Sequence, residues 1–273
     1  MKKRTLKSTD KVFSKEHYDY IKGLRKRSLL IWLSRFLLLF ILLGVWEFFA
    51  YLKIIDSFIF SSPSKIAVTL FNLFEKNNML MHIGVTLYET VLGFLIAAFL
   101  GSLIALLLWT SDFLQKVLEP YLVVLNSLPK IALGPIIIVA FGSGVKAIVF
   151  MAILIGIIVT VINMLGGFLS TDKDKILLMR SMGATKWQIM KKLIIPGNVK
   201  VFISTLKIDV GMAWIGSIMG EYIASKAGLG YLLVYGAQVF KLDLVLATIV
   251  VLCILASLMY SLVVLLEKII VKN

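Results

Sequence analysis

The chain has 273 residues, 60% of them hydrophobic, and a formal net charge of +14. An ordinary soluble domain is nearer half apolar, so this composition argues against a water-soluble fold and points to the bilayer as solvent. The single cysteine, Cys253, rules out an intrachain disulfide, and the two histidines, His17 and His82, lie far apart and outside the apolar runs, which argues against a zinc site or a His-based catalytic centre.

Residues 1–28 are polar and basic and are read as a cytoplasmic tail with no core of its own. The first apolar run begins near Leu29 and is followed by no small-x-small cleavage pattern, so it is expected to be a retained span over residues 29–51. Arg35 near its start is long enough to snorkel to the interface, and Trp32 and Trp46 suit interfacial belts. Ser61-Ser62-Pro63-Ser64 then reads as a helix start, with Ser to cap free N–H groups and Pro tolerated in the first turn. Ile66, Val68, Leu70, Phe71 and Phe74 predict a short amphipathic helix lying on the membrane. Together residues 29–82 form the first span and an external segment.

Residues 83–270 hold the core. Span two is predicted over residues 83–109, with Gly84, Gly93 and Gly101 on a shared side where another helix can approach closely. Span three, residues 117–141, carries Pro120, Pro129 and Pro135 and is expected to be one bent internal helix, because a proline-broken ladder must be compensated inside protein. Span four covers residues 145–169. Residues 171–200 form the longest polar stretch after the tail, yet keep helical periodicity through Ile176, Met179, Met182, Trp187, Met190 and Ile194. Spans five and six follow at residues 201–223 and 244–270, joined by a Gly-rich link and a short amphipathic piece.

Six spans place both termini on one side, and charge selects which. Lys and Arg crowd the tail, the 171–200 loop and the C-terminus, whereas the opposite face holds only Lys53, Lys65, Lys76, Lys146, Lys226 and Lys241. The positive-inside rule then puts the termini and the loop on the cytoplasmic side. The loop itself reads as a short helix, a turn at Gly183, which can supply positive φ, a second short helix with Thr185 as a candidate cap, and Pro196 opening span five. Such a compact, partly apolar knob suits docking into a groove of a partner.

Polar residues inside the spans are the other clue. Asp209 lies within span five, and Lys207 sits about 200° around the helix from it, so each needs a partner on another element. Asp209 is read as a member of an internal ion pair, a helix-packing contact or part of the solute path. Glu221 is read as a capping carboxylate or as part of an outer gate with the Gly228-Leu229-Gly230 turn, and Glu89 as structural. The dispersed methionines are read as adaptable packing, with Met212 also grouped among the pathway candidates.

The run R-S-M-G-A-T-K-W-Q-I-M-K-K-L-I-I-P, residues 180–196, resembles the coupling-loop motif of ABC importer permeases. Gly183, Ala184 and Pro196 match, while Leu177-Leu178-Met179 stands where that motif has Glu-Ala-Ala. Trp46-Glu47, Ser62-Pro63-Ser64, Leu92-Gly93-Phe94, Phe141-Gly142, Gly220-Glu221 and Gly228-Leu229-Gly230-Tyr231 are similar to the nitrate/sulfonate/taurine subgroup of those permeases. The resemblance implies an all-α type I importer permease fold in a bacterial plasma membrane, multi-pass with both termini cytoplasmic. It also implies two such chains, the second a copy of this one, seated on two cytoplasmic ABC ATPases, with an extracytoplasmic binding protein delivering solute. ATP and Mg would belong to the ATPases and no cofactor to this chain, which lacks a G-x-x-x-x-G-K-[ST] loop. Arg180, Ser181, Gly183, Ala184, Thr185, Trp187 and Pro196 would contact or shape the contact to the ATPase. The subgroup implies a small anion, such as a sulfonate, nitrate or taurine-like solute, or a vitamin precursor. The rival reading, a secondary transporter or channel, would show internal repeats and buried ion-coupling groups.

Overall fold

The computed structural model describes residues 15–54, 60–76 and 78–270. The chain divides into two compact units between Ser64 and Lys65. In the first unit α1 runs without interruption over Lys15–Tyr51. The basic segment up to residue 28 is therefore largely helix continuous with the span, since Lys, Arg, Glu and Leu are all good helix formers; residues 1–14 of the predicted tail lie outside the described residues. Near its end Glu47 accepts hydrogen bonds from the backbone N–H of Ser64 at 2.9 Å and from the Ser64 hydroxyl at 2.7 Å. That carboxylate fixes the start of α2, Pro63–Lys76, which has proline in its first position.

In the second unit α2 turns Ile66 and Leu73 inward and leaves Val68, Phe71 and Phe74 exposed. The apolar residues of the predicted surface helix are thus split between two faces. The long helices are α3 (Met79–Thr110), α6 (Val145–Leu169), α10 (Val199–Ala224) and α12 (Leu242–Ile270), all long and apolar enough to cross a bilayer, as is α1. Each matches a predicted span to within a few residues.

The segment predicted as span three differs from expectation. Instead of one bent helix over residues 117–141, α4 (Asp112–Ser127) stops, a 3₁₀ turn covers Lys130–Leu133, and α5 (Gly134–Phe141) leaves at 86°. The three prolines play three different parts. Pro129 makes the break, because the residue before a proline is pushed out of helical space, and Leu128 accordingly has ψ 135°. Pro135 sits in the first turn of α5, where its missing N–H costs nothing, and Pro120 is accommodated inside α4.

Small residues set the packing of α3, α6 and α10. Gly93 and Gly101 of α3 meet Ala152 and Thr160 of α6, a constant offset that makes the two helices parallel. Gly216 and Gly220 of α10 meet Ala152 and Ile148 of α6, and Gly167 meets Val201, so α10 runs antiparallel to α6. A Cβ at Gly216 would lie 2.4 Å from the Ala152 Cα, a separation no side chain can occupy. Gly84, grouped with Gly93 and Gly101 from sequence, has open space around it. The same offset carries Gly84 past the start of α6, so no helix faces it. The register gathers Met79, Val145, Ala224 and Leu242 at one end of the bundle, and Thr110, Leu169 and Val199 at the other.

Candidate functional site

The segment between α6 and α10 is a folded element. Asp172 caps α7, Lys173–Ser181, by accepting from the Asp174 N–H at 2.9 Å. The chain then reverses at Gly183, whose φ is 79°, with Gly183 N–H donating to Arg180 O at 2.9 Å and Ala184 N–H to Met179 O at 3.0 Å. Thr185 closes a capping box on α8, Lys186–Ile189: its hydroxyl accepts from Gln188 N–H at 3.3 Å, and the Gln188 side chain accepts from Thr185 N–H at 2.8 Å. A π-helical stretch, Met190–Ile194, and α9, Ile195–Gly197, complete the path to α10. Pro196 therefore lies in α9, and α10 begins at Val199 rather than at the proline.

One face of this element is held to the bundle. Ile189 and Ile194 are buried in a cluster with Ala105 and Leu108 of α3 and Val161, Met164, Leu165 and Phe168 of α6. The Lys186 ammonium donates to Thr110 O at 3.3 Å, and the Asn198 amide donates to Thr171 Oγ1 at 2.9 Å and Ile194 O at 2.8 Å. The other face is apolar and open: Leu177 and Leu178 are each 62% exposed, Met182 79% and Trp187 66%. Arg180 and Ser181 lie on the same exposed side. All seven residues singled out in the loop thus fall within one short stretch of it.

The polar residues of α10 point elsewhere. Asp209 is buried against α6, where its carboxylate accepts from the Thr160 hydroxyl at 2.8 Å. Lys207 pairs with Glu267 of α12 at 2.6 Å. The two neighbours do find separate partners, as their angular separation requires. Met212 is half-buried.

Glu221 is also buried, but it holds a turn. Its carboxylate accepts from the Gly230 N–H, at the first residues of α11, Leu229–Gln238. Gly228 has φ 108°, and a Cβ there would collide with that carboxylate. Helix α3 supplies the rest of the seat: Gly228 N–H donates to His82 Nδ1 at 3.0 Å and Leu229 N–H to Thr86 Oγ1 at 2.8 Å. Glu89 lies beside Glu221, and Thr90 is hydrogen-bonded to Ser217 at 2.6 Å. Among the described residues neither Glu89 oxygen has a partner at hydrogen-bond geometry. Sequence reading missed the turn-seating role of His82 and Thr86 and the α10 contact of Thr90. Their signal was present as polar residues at helical spacing on one side of an otherwise apolar span.

Helix α10 packs against α3, α5, α6, α11 and α12, and one stripe of it stays open. Lys200, Ser204, Ile208, Gly211, Ile215 and Tyr222 are exposed along it. Lys200, Ser204, Thr205 and Ile208 line a cavity of about 290 Å³ with Asn163 of α6. Neither Asp209 nor Glu221 is on that stripe.

The second unit is thus a bundle of long apolar helices carrying, at one end, a folded element with one face packed on the bundle and the other apolar and exposed. Residues 90–272 match the family described as binding-protein-dependent transport system inner membrane component, and the chain belongs to that family. It is the permease subunit of an ABC importer. It is 30% identical over 228 residues, covering 84% of this chain and 92% of the relative, to a Haemophilus influenzae protein named "Probable ABC transporter permease protein". It is likewise 30% identical over 190 residues, 70% of this chain and 75% of the relative, to the formylaminopyrimidine transport permease protein ThiX of Halalkalibacterium halodurans. Other relatives are named for taurine transport and nitrate import. The fold matches a chain of the MetNI methionine ABC transporter in an inward-facing form, with a TM-score of 0.60 at 19% identity, covering 72% of this chain and 100% of that one.

Proposed function

We propose that the 172–197 element is where a separate ATPase chain drives this permease, and that solute crosses between two copies of the chain along the open stripe of α10. The observation that carries the reading is the two-sided build of the element: Ile189 and Ile194 are fixed in the bundle, while Leu177, Leu178, Met182 and Trp187 offer an apolar face to a groove. A rigid connection of this kind passes a push at the knob directly into α3, α6 and α10. Arg180 and Ser181 flank the face; Gly183, Ala184 and Thr185 shape it; Pro196 leads it into α10. ATP and Mg act on the ATPase, and this chain contributes the pathway and no cofactor.

The positive-inside bias puts the knob and both termini in the cytoplasm and the α11 turn outside, where a solute-binding protein would release its cargo. Glu221 with Gly228 and Gly230 then acts as the outer hinge, and Asp209 ties α10 to α6 so that the two move together. Met212, half-buried beside the stripe, joins its wall. Alternating access follows as a shift between two packings of the same helices, biased by the ATPase. The solute class is a small anion, sulfonate-, nitrate- or taurine-like, or a vitamin precursor, as the names of the relatives suggest.

The test replaces Gly183 with Trp, or deletes Gly183 to Trp187. A β-carbon at φ 79° strains the reversal by ~1–2 kcal/mol and a bulky side chain blocks the face. Membrane insertion is expected to persist while ATPase co-purification or solute uptake is lost. Wild-type co-purification together with wild-type uptake would refute the assignment.

A further inference from the structure

A cavity of about 470 Å³ opens at the end of the bundle opposite the knob, between α2, α3, α11 and α12. Two opposite charges line it. Lys241 precedes α12, and Asp243 lies in the first turn of that helix. Asp243 is fixed by the Thr69 hydroxyl, which donates to its carboxylate at 2.7 Å and leaves other lone pairs free. Among the described residues Lys241 and Asp243 make no ion pair with each other, although both face one cavity.

The wall between them is aromatic and ordered. His82 stacks on Tyr231 at 6.1 Å and 10°, and Tyr231 on Tyr235 at 6.1 Å and 19°. His82 Nδ1 is occupied as an acceptor by the Gly228 N–H, so its proton sits on Nε2 and the ring offers a donor. Asn72 adds an amide to the lining. The cavity thus holds a cationic donor set and a separate carboxylate, a charge layout left uncompensated by the chain itself.

We propose that this cavity binds a group carrying an oxyanion and an ammonium a few atoms apart, the oxyanion at Lys241 and His82 and the ammonium at Asp243. Its volume is within the usual 300–1,000 Å³ of small-molecule sites. A zwitterion neutralises both wall charges at once, which neither a simple anion nor a simple cation can do. The site also lies where α3 and α12 begin, two helices long and apolar enough to cross a bilayer, and α2, which lines it, exposes Val68, Phe71 and Phe74. The chemistry is therefore shared by an ethanolamine phospholipid headgroup and by a free amino-sulfonate or amino-phosphate. The proposal stands apart from the import reading, because it rests on no statement about the pathway or the ATPase.

The experiment uses the full-length purified chain and two variants, Lys241→Met and Asp243→Asn, each checked for a wild-type melting profile. One arm measures retention of phosphatidylethanolamine against phosphatidylglycerol by native mass spectrometry. The other titrates soluble phosphoethanolamine and taurine by calorimetry. Selective phosphatidylethanolamine retention, reduced tenfold or more in the variants, assigns the site to lipid. Binding of the soluble probes, weakened tenfold or more in the variants, without lipid selectivity assigns it to a free solute. If no probe binds, or if binding is the same in the wild type and in both variants, the proposal is overturned; should Asp243→Asn misfold, the exposed Lys241→Met decides alone.

Discussion

Replacing Ile194 with Ala tests whether the 172–197 element is fixed to the bundle by packing. Ile194 is 0% exposed and sits in the cluster formed by Leu108, Met164, Leu165 and Phe168. Truncating a buried Ile to Ala costs ~2–5 kcal/mol, the transfer of the lost carbons plus the cavity they leave. At about 1.4 kcal/mol per factor of ten, the low end raises the local opening equilibrium about 30-fold. Amide hydrogen exchange of the purified protein reads this directly, because local opening sets the exchange rate. Exchange over residues 186–197 is expected to accelerate by about 30-fold or more, while α12 keeps its wild-type rates. Trp187→Ala is the companion. Its side chain is 66% exposed on the opposite face, and surface changes stay within about 0.5 kcal/mol, so exchange should change by no more than about twofold. Unchanged exchange in Ile194→Ala, or equal acceleration in Trp187→Ala, would refute the two-sided account.

Two further perturbations probe the bundle. Thr160→Val removes the hydroxyl that donates to one oxygen of the buried Asp209 carboxylate and should lower stability by ~1–3 kcal/mol, read as a fall in melting temperature; adding Asp209→Leu should restore most of it, and failure of that rescue would show the carboxylate has another task. Gly216→Val should abolish a monodisperse fold, because its Cβ would sit 2.4 Å from the Ala152 Cα, whereas Gly84→Ala, in open space, should gain ~0.5–1 kcal/mol from helix propensity; size-exclusion profiles and melting curves separate the two.

How much was legible in advance varied with the kind of signal. Spans two, four, five and six were readable because the bilayer demands about 20 apolar residues per helix, a requirement that is local in sequence. The turn at Gly183 and the cap at Thr185 were equally local, since a positive φ and a hydroxyl cap each depend on neighbours a few residues away. The broken third span was only half visible. Three prolines announced a distortion, but which one would break the helix depended on what surrounds the backbone at each, and Pro120 shows that an internal proline can be absorbed.

The buried polar groups show the limit more sharply. From Asp209 and Lys207 alone, helical geometry established that they could not pair with one another. It could not say that Thr160 and Glu267, 49 and 60 residues further off in the chain, would take them. Glu221 read as an end-of-helix carboxylate, yet burial makes it the clamp of the α11 turn, with His82 and Thr86 as the other half of the seat.

The sequence by itself thus determined the solvent of this protein, the limits of its long apolar helices, and the turn and cap of the 172–197 element, because hydropathy, helix length and turn chemistry act over a few turns of chain. Only the tertiary structure decided which faces those helices share, which glycines are contacts, and that Lys241 and Asp243 line one cavity without pairing. Those outcomes depend on the offset at which α3, α6, α10 and α12 settle against one another, and that offset is fixed by side-chain volumes meeting across helices far apart in the chain.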